Sequence, residues 1–154
     1  MKASFSSYIG RVTEPRKPIV EMPLRVRYHE CDGQGIVFNA NYLAYVDMAM
    51  FEVERTLYGS HEAALALGVD VVVAESNLRY RAPCRYDDEL VVSAFLNHLG
   101  TTSLIIDFEI GRDGTVCTEA TNRYVFVDPA TLKKAAPPAV VREVYAALLP
   151  AQAD

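Results

Sequence analysis

The first hydrophobic pattern in the chain is a strict alternation over residues 24–29, where Leu, Val and Tyr interleave with Arg, Arg and His. This two-residue period predicts a strand with one buried face and one solvated face. A loop that contains Gly33 and Gly35 follows the strand. The period then changes to that of a helix.

From residue 41 to about residue 57, apolar side chains cover almost the whole circumference of a predicted helix. Its polar positions form one narrow strip that consists of Asp47, Glu54 and Arg55. Asn39 or Asn41 is a suitable N-cap, because a short polar side chain can accept a hydrogen bond from a free N–H group. A helix that is apolar on nearly every side must be covered on most of them.

The second half of the chain returns to the period of strands. Asp113-Gly114 is a strong signal for a tight hairpin turn between the last two strands. Short helices are predicted at residues 62–67 and 140–149. The four alternating segments are residues 70–82, 89–98, 102–110 and 116–127.

These elements predict an α+β fold in which one five-stranded antiparallel sheet wraps around one long apolar helix. Three of the later connections are short enough to join antiparallel neighbours. Residues 1–19 lack a period and are predicted to form a flexible N-terminal arm, which leaves residues 20–150 as a single domain. The open sheet has edges that a second copy would cover, so we expect a homodimer or a larger assembly.

Composition narrows the class of protein. The 154 residues are 51% hydrophobic and 23% charged, which is typical of a globular chain with a genuine core. The net charge of −5 argues against nucleic-acid binding, and no apolar run reaches the ~20 residues of a membrane helix. Three widely spaced cysteines and the lack of an apolar signal segment in residues 1–18 favour a cytoplasmic protein over a disulfide-bonded or zinc-bound one.

Asp32 is the main candidate for chemistry, because it lies in the glycine loop directly before the apolar helix. A carboxylate at this point can act as a nucleophile or a base, while free N–H groups at the helix start can stabilise an oxyanion. An Asp before Gly33 is also common turn chemistry, so the residues alone leave a turn-capping role equally open.

The stretch from residue 27 to residue 45, RYHECDGQGIVFNANYLAY, resembles the active-site loop of the 4-hydroxybenzoyl-CoA thioesterase family of hotdog-fold acyl-CoA thioesterases. Residues 78–83 (LRYRAP) and 86–90 (YDDEL) resemble the strand–turn–strand segment further along that family's chain. The resemblance covers residues 24–135. It implies the hotdog fold and the hydrolysis of an acyl-CoA thioester to a free carboxylic acid and CoA.

The resemblance also implies roles for single residues. Asp32 matches the catalytic aspartate of the family, and Asn39 matches the position whose backbone N–H group polarises the thioester carbonyl. An enzyme without metal or redox cofactor is implied, assembled as a homodimer or as a homotetramer of two dimers. Four residues match the part of the motif expected to contact substrate: Gly35, Val37, Phe38 and Tyr42.

Two features depart from the family pattern, and several alternative mechanisms and functions stay open. Asn39 stands where relatives often carry His or Tyr, and residues 100–102 lack the Arg/Lys cluster that holds CoA phosphates in some members. Asp32 can attack the thioester directly or activate a water. Other interpretations are a hotdog hydratase or dehydratase, an acyl-carrier-protein thioesterase, and an acyl-thioester binding module without catalysis.

Overall fold

The computed structural model describes residues 15–150 and forms one antiparallel sheet with three helices. The strands are β1 (Val20–Arg25), β2 (Asp70–Tyr80), β3 (Glu89–Leu99), β4 (Ser103–Arg112) and β5 (Thr115–Val127). The helices are α1 (Asn41–Tyr58), α2 (His61–Ala66) and α3 (Ala139–Ala146), and a single 3₁₀ turn spans Tyr28–Glu30.

The order of strands across the sheet is β1-β3-β4-β5-β2, with every neighbouring pair antiparallel. The hairpin between β4 and β5 has a two-residue turn, Asp113 and Gly114, with φ angles of 52° and 77°. Two successive left-handed residues match the right-handed twist of the flanking strands, and Asp-Gly adopts them readily. The predicted hairpin is therefore confirmed.

The prediction that three short connections join neighbours is wrong for β2 and β3. Among the described strands, β2 pairs only with β5 and forms one edge of the sheet, whereas β3 lies between β1 and β4. The connection crosses the end of the β4–β5 hairpin, where the N–H groups of Arg81 and Ala82 both donate to the carbonyl of Cys117, at 2.8 and 3.0 Å. A short connection limits the distance between strand ends but does not fix which strands pair.

The first strand also differs from the prediction, because it starts at Val20 and ends at Arg25 instead of spanning residues 24–29. Val26 exchanges backbone hydrogen bonds with residues 87 and 88 and is buried, and the chain then turns out of the sheet. Tyr28 is 80% exposed and packs edge-on against Tyr86. The alternation therefore continues in the sequence past the point where the ladder stops.

The core lies between α1 and the sheet, as predicted. α1 contacts β1 and β3 directly. Its buried apolar face consists of Tyr42, Tyr45, Val46, Ala49, Met50 and Val53. The facing positions on the sheet include Leu90, Val92, Leu104, Ile106, Phe108 and Phe126.

The predicted polar strip of α1 is correct for Asp47 and Arg55, which are exposed, and wrong for Glu54, and the predicted cap is also wrong. Glu54 is buried, because α2 packs beside it and its carboxylate bonds to His61. Ala40 is the N-cap residue, and no side chain of residues 15–150 caps the helix; the side chain of Asn41 instead donates to the carbonyl of Glu30. Three large apolar residues on the opposite side of α1 remain exposed within one chain: Leu43, Met48 and Phe51.

Most of the predicted arm lies outside the described residues, which begin at 15. Within the described part, Arg16 pairs with Asp107 at 2.6 Å, and the N–H group of Ile19 donates to the carbonyl of Ala94. The flexible arm and the domain limits at 20 and 150 stay predictions. Among residues 15–150, no helix combines the length and apolarity needed to cross a membrane.

Candidate active site

The loop around Asp32 is a small hairpin built on three residues, Gly33 to Gly35. Cys31 pairs with Val37, and the N–H group of Asp32 donates to the carbonyl of Ile36 at 2.9 Å. The N–H group of Gly35 donates back to the carbonyl of Asp32, also at 2.9 Å. Gly35 has a φ of 74°, the left-handed conformation that ends such a loop and that glycine adopts without steric cost.

The side chain of Asp32 takes part in the same turn. Its Oδ1 accepts a hydrogen bond from the N–H group of Gln34 at 2.8 Å, and the side chain is half-buried. The turn-capping role left open by the sequence is therefore real. Among residues 15–150 this is the single hydrogen bond that the carboxylate accepts, so its second oxygen is unoccupied by protein.

The start of α1 offers free donors next to this loop. The N–H group of Phe38 donates to the carbonyl of Glu30, and that of Asn41 donates to the carbonyl of Phe38, each at 2.9 Å. Between them, the N–H groups of Asn39 and Ala40 meet no acceptor within the described residues. Unpaired N–H groups at a helix start attract negative charge.

Three contacts tie the helix start to the rest of the fold. The N–H group of Val37 donates to the carbonyl of Cys84 at 2.8 Å. The side-chain amide of Asn41 donates to the carbonyl of Glu30 at 2.7 Å, and the hydroxyl of Tyr80 on β2 donates to the carbonyl of Asn39 at 3.0 Å. The side-chain roles of Asn41 and Tyr80 were not predicted, although alternation on β2 places Tyr80 on the face toward the helix.

The residues predicted to contact substrate divide into two groups. Phe38 is exposed, and Gly35 lies at the open tip of the loop. Val37 and Tyr42 are buried in the core beneath the loop. Burial, with Cys84 beside it, raises the pKa of the Tyr42 phenol well above its usual value, so this side chain stays neutral.

One group of possible metal ligands lies elsewhere. Donor atoms of Glu54, His61 and Asp70 are within 4.8 Å of one another. His61 Nδ1 and Glu54 Oε2 are only 2.6 Å apart, however, whereas two tetrahedral ligands on zinc lie about 3.3 Å from each other. The geometry is that of a direct ion pair, with Asp70 beside it.

Three arginines lie at or just after the end of β2: Arg79, Arg81 and Arg85. Arg81 is paired with Glu119 at 2.7 Å and lines a groove on the outer face of the sheet, away from the Asp32 loop. Arg79 and Arg85 form no ion pair within residues 15–150. Arg85 is the nearer of the two to the loop, because its backbone pairs with Ile36.

Comparison with known proteins gives consistent similarities. The thioesterase superfamily matches residues 34–119, a span that begins two residues after Asp32. Acyl-CoA thioester hydrolase YbgC of Escherichia coli O157:H7 is 34% identical over 123 residues, which cover 79% of this chain and 92% of that protein.

Two solved structures extend the comparison. The hypothetical protein TT1821 of Thermus thermophilus superposes with a TM-score of 0.78 at 25% identity, over 84% of this chain and 98% of that one. The DHNA-CoA thioesterase of Staphylococcus aureus superposes with a TM-score of 0.76 at 18% identity, over 83% and 89% of the two chains. The second likeness bears on the fold alone.

Proposed function

This chain belongs to the thioesterase superfamily and is a hotdog-fold acyl-CoA thioester hydrolase, and from that premise we propose that Asp32 and the start of α1 form its reaction centre. Asp32 supplies the nucleophile or the general base. The N–H group of Asn39, together with that of Ala40, binds the oxygen that becomes negative as the thioester carbonyl is attacked.

Both routes make the same demands on these residues. In the first, an Asp32 oxygen bonds to the carbonyl carbon, the C–S bond breaks, and water opens the resulting mixed anhydride. In the second, Asp32 takes a proton from water, the water oxygen attacks the carbon, and the CoA thiolate leaves. Each route needs an ionised carboxylate at residue 32 and a donor for the oxyanion.

Within residues 15–150, one Asp32 oxygen is held and the other is free, and two N–H groups at the helix start are free; this combination carries the proposal. The bond from Gln34 to Oδ1 fixes the orientation of the carboxylate. The N–H groups of Asn39 and Ala40 have no competing acceptor in the described part of the chain. A carboxylate that only capped the turn would need no such donors beside it.

Substitution of Asp32 separates its chemical role from its turn role. Asp32→Asn keeps an Oδ1 that can accept from Gln34 but removes the charge, whereas Asp32→Ala removes both. We expect each variant to lower kcat for CoA release by about 10²–10⁴-fold, with the Asn variant melting at the wild-type temperature. The assay follows thiol release from short, long and aromatic acyl-CoAs.

Three outcomes are informative. Near wild-type turnover in a folded Asp32→Asn variant would overturn the assignment of Asp32. Thiol release from an acyl-carrier-protein thioester, but from none of the CoA esters, would show that the acyl donor is the carrier protein. A wild-type protein that binds the esters without releasing thiol would be the binding module instead.

We also propose that two copies assemble into a homodimer, with two dimers forming the homotetramer. Support comes from the exposed apolar side of α1 and from β2, which leaves one edge unpaired within the described chain and exposes Val72 and Val73. A second copy would shelter the reaction centre from water, and the cytoplasm remains the proposed location.

A further inference from the structure

We propose that Tyr80 is a positioning residue for the oxyanion donors, and this inference rests on the proposed function of the helix start. Tyr80 lies on β2, 41 residues along the chain from Asn39, and its hydroxyl donates a hydrogen bond to the carbonyl of Asn39. No other side chain among residues 15–150 bonds to the peptides on either side of Asn39.

Peptide geometry explains why a bond to a carbonyl controls an N–H group. The peptide unit is planar and trans, so its C=O and N–H groups point in opposite directions. The carbonyl of Asn39 belongs to the same peptide as the N–H group of Ala40. A hydroxyl that holds this carbonyl on one side therefore directs the Ala40 N–H group to the other.

The neighbouring peptide is held in the same way by the helix itself. The carbonyl of Phe38 accepts from the N–H group of Asn41, which directs the Asn39 N–H group away from the helix body. The two peptides that flank the Asn39 Cα atom are thus both held at their carbonyls. The Phe38 carbonyl is held by a residue three positions away, whereas the Asn39 carbonyl is held by Tyr80.

The packing of Tyr80 aims its hydroxyl at this carbonyl. The ring contacts the buried ring of Tyr42 edge-on, with centroids 5.5 Å apart. The backbone of Tyr80 is held by pairing with Thr118 on β5. Tyr80 is nevertheless 52% exposed, so the bond to Asn39 contributes little to overall stability and its effect is local.

The bond also strengthens the donor. A carbonyl that accepts a hydrogen bond polarises its peptide, and the attached N–H group then becomes a better donor by about 10–30% per bond. Tyr80 therefore acts on both the direction and the acidity of the Ala40 N–H group. Neither effect requires Tyr80 to contact the substrate.

The variant Tyr80→Phe removes the hydroxyl and keeps the ring on Tyr42. We expect kcat to fall by about tenfold with KM unchanged, less than the ~10²–10³ that follows from loss of an oxyanion donor itself. In protein labelled with ¹⁵N-alanine, the Ala40 amide signal should move upfield as its peptide loses polarisation. Tyr86→Phe is the control, because Tyr86 is also exposed and its hydroxyl forms no hydrogen bond within the described residues.

The readouts distinguish positioning from general damage. A lower melting temperature with equal changes in kcat and KM would mean that Tyr80 is only structural, and an unmoved Ala40 signal with wild-type kcat would overturn the inference. Activity in the wild type that is abolished by Asp32→Asn yet insensitive to Tyr80→Phe would leave the proposed function intact. Absence of activity in the wild type would instead remove the proposed function.

Discussion

Glu54 is the one acidic residue that is buried among residues 15–150. It is 6% exposed and lies on the face of α1 that meets α2. Loss of water raises the pKa of its carboxyl, although the hydrogen bond from His61 opposes the shift. The same 2.6 Å contact raises the pKa of His61, because the carboxylate favours the protonated ring. The pair therefore makes the stability of the fold depend on pH.

We predict that His61 contributes stability mainly in mildly acidic solution. Its pKa in the folded state lies above the ordinary value of 6.5, so folding favours the protonated ring. That contribution is complete below about pH 6.5 and is lost as pH rises through the folded pKa. His61→Gln keeps a hydrogen-bond donor without the charge, and we expect it to lower the unfolding free energy by about 1–2 kcal/mol at pH 6.

Urea unfolding of the wild type and of His61→Gln at pH 6 and pH 9 tests this dependence. The difference between the two proteins should shrink toward zero at the higher pH. His98→Gln serves as the control, because His98 is an exposed residue on β3. An equal difference at both pH values would show that the His61 charge has no part in stability.

The contacts of some residues could be predicted from the sequence, and those of others could not. The turn that holds Asp32 was predictable because the hydrogen-bond partners of Asp32, which are Gln34, Gly35 and Ile36, lie within four positions in the chain. Glu54 looked solvated because its partner belongs to the next helix, seven residues on. Tyr80 was missed because its partner is 41 residues away, and no local pattern records such a contact.

Helix α1 determines how closely the sheet can wrap around it. Ala49 is fully buried on this helix, at the centre of the face that contacts β1 and β3. A small residue at this point lets the helix approach the sheet. Ala44 is exposed on the same helix and provides a matched position without that constraint.

We predict that Ala49→Leu destabilises the fold by about 1–3 kcal/mol, because the larger side chain overpacks a filled interior. Ala44→Leu should change the unfolding free energy by less than about 0.5 kcal/mol. Chemical denaturation of both variants measures the difference. Similar values for the two would indicate that the helix can move away from the sheet at no cost.

The secondary-structure elements could largely be predicted from the sequence, but the pairing of the strands could not. Alternation located β2 to β5, but the first predicted strand, residues 24–29, overlaps β1 only at Leu24 and Arg25. It misjudged the end of β1, where Tyr28 keeps the period after the ladder has stopped. The sequence also predicted that β2 and β3 pair. Periodicity shows where a strand lies in the chain, but it does not show that β1 and β4 pair with the two edges of β3.

A single chain does not bury all of the apolar surface of α1. The composition of α1 predicts apolar contacts on most sides, yet the sheet covers only the face centred on Ala49. Met48 and Phe51 on the other side are 46% and 45% exposed. One edge of β2 has no partner strand in the described part of the chain, and its backbone donors and acceptors can pair with a second strand. Apolar surface and an open edge on one molecule favour association of identical chains.

We therefore predict that light scattering of the purified protein gives twice or four times the mass of one chain. Met48→Glu places a charge in the proposed contact and should shift the mass toward that of the monomer, because burial of an unpaired charge is unfavourable. Thioesterase activity should fall with it, since the reaction centre would lose its shelter. Val91→Lys is the control on an exposed position of β3, which is an interior strand of the sheet. A monomeric wild type with full activity would mean that the apolar side of α1 serves a partner other than a second copy.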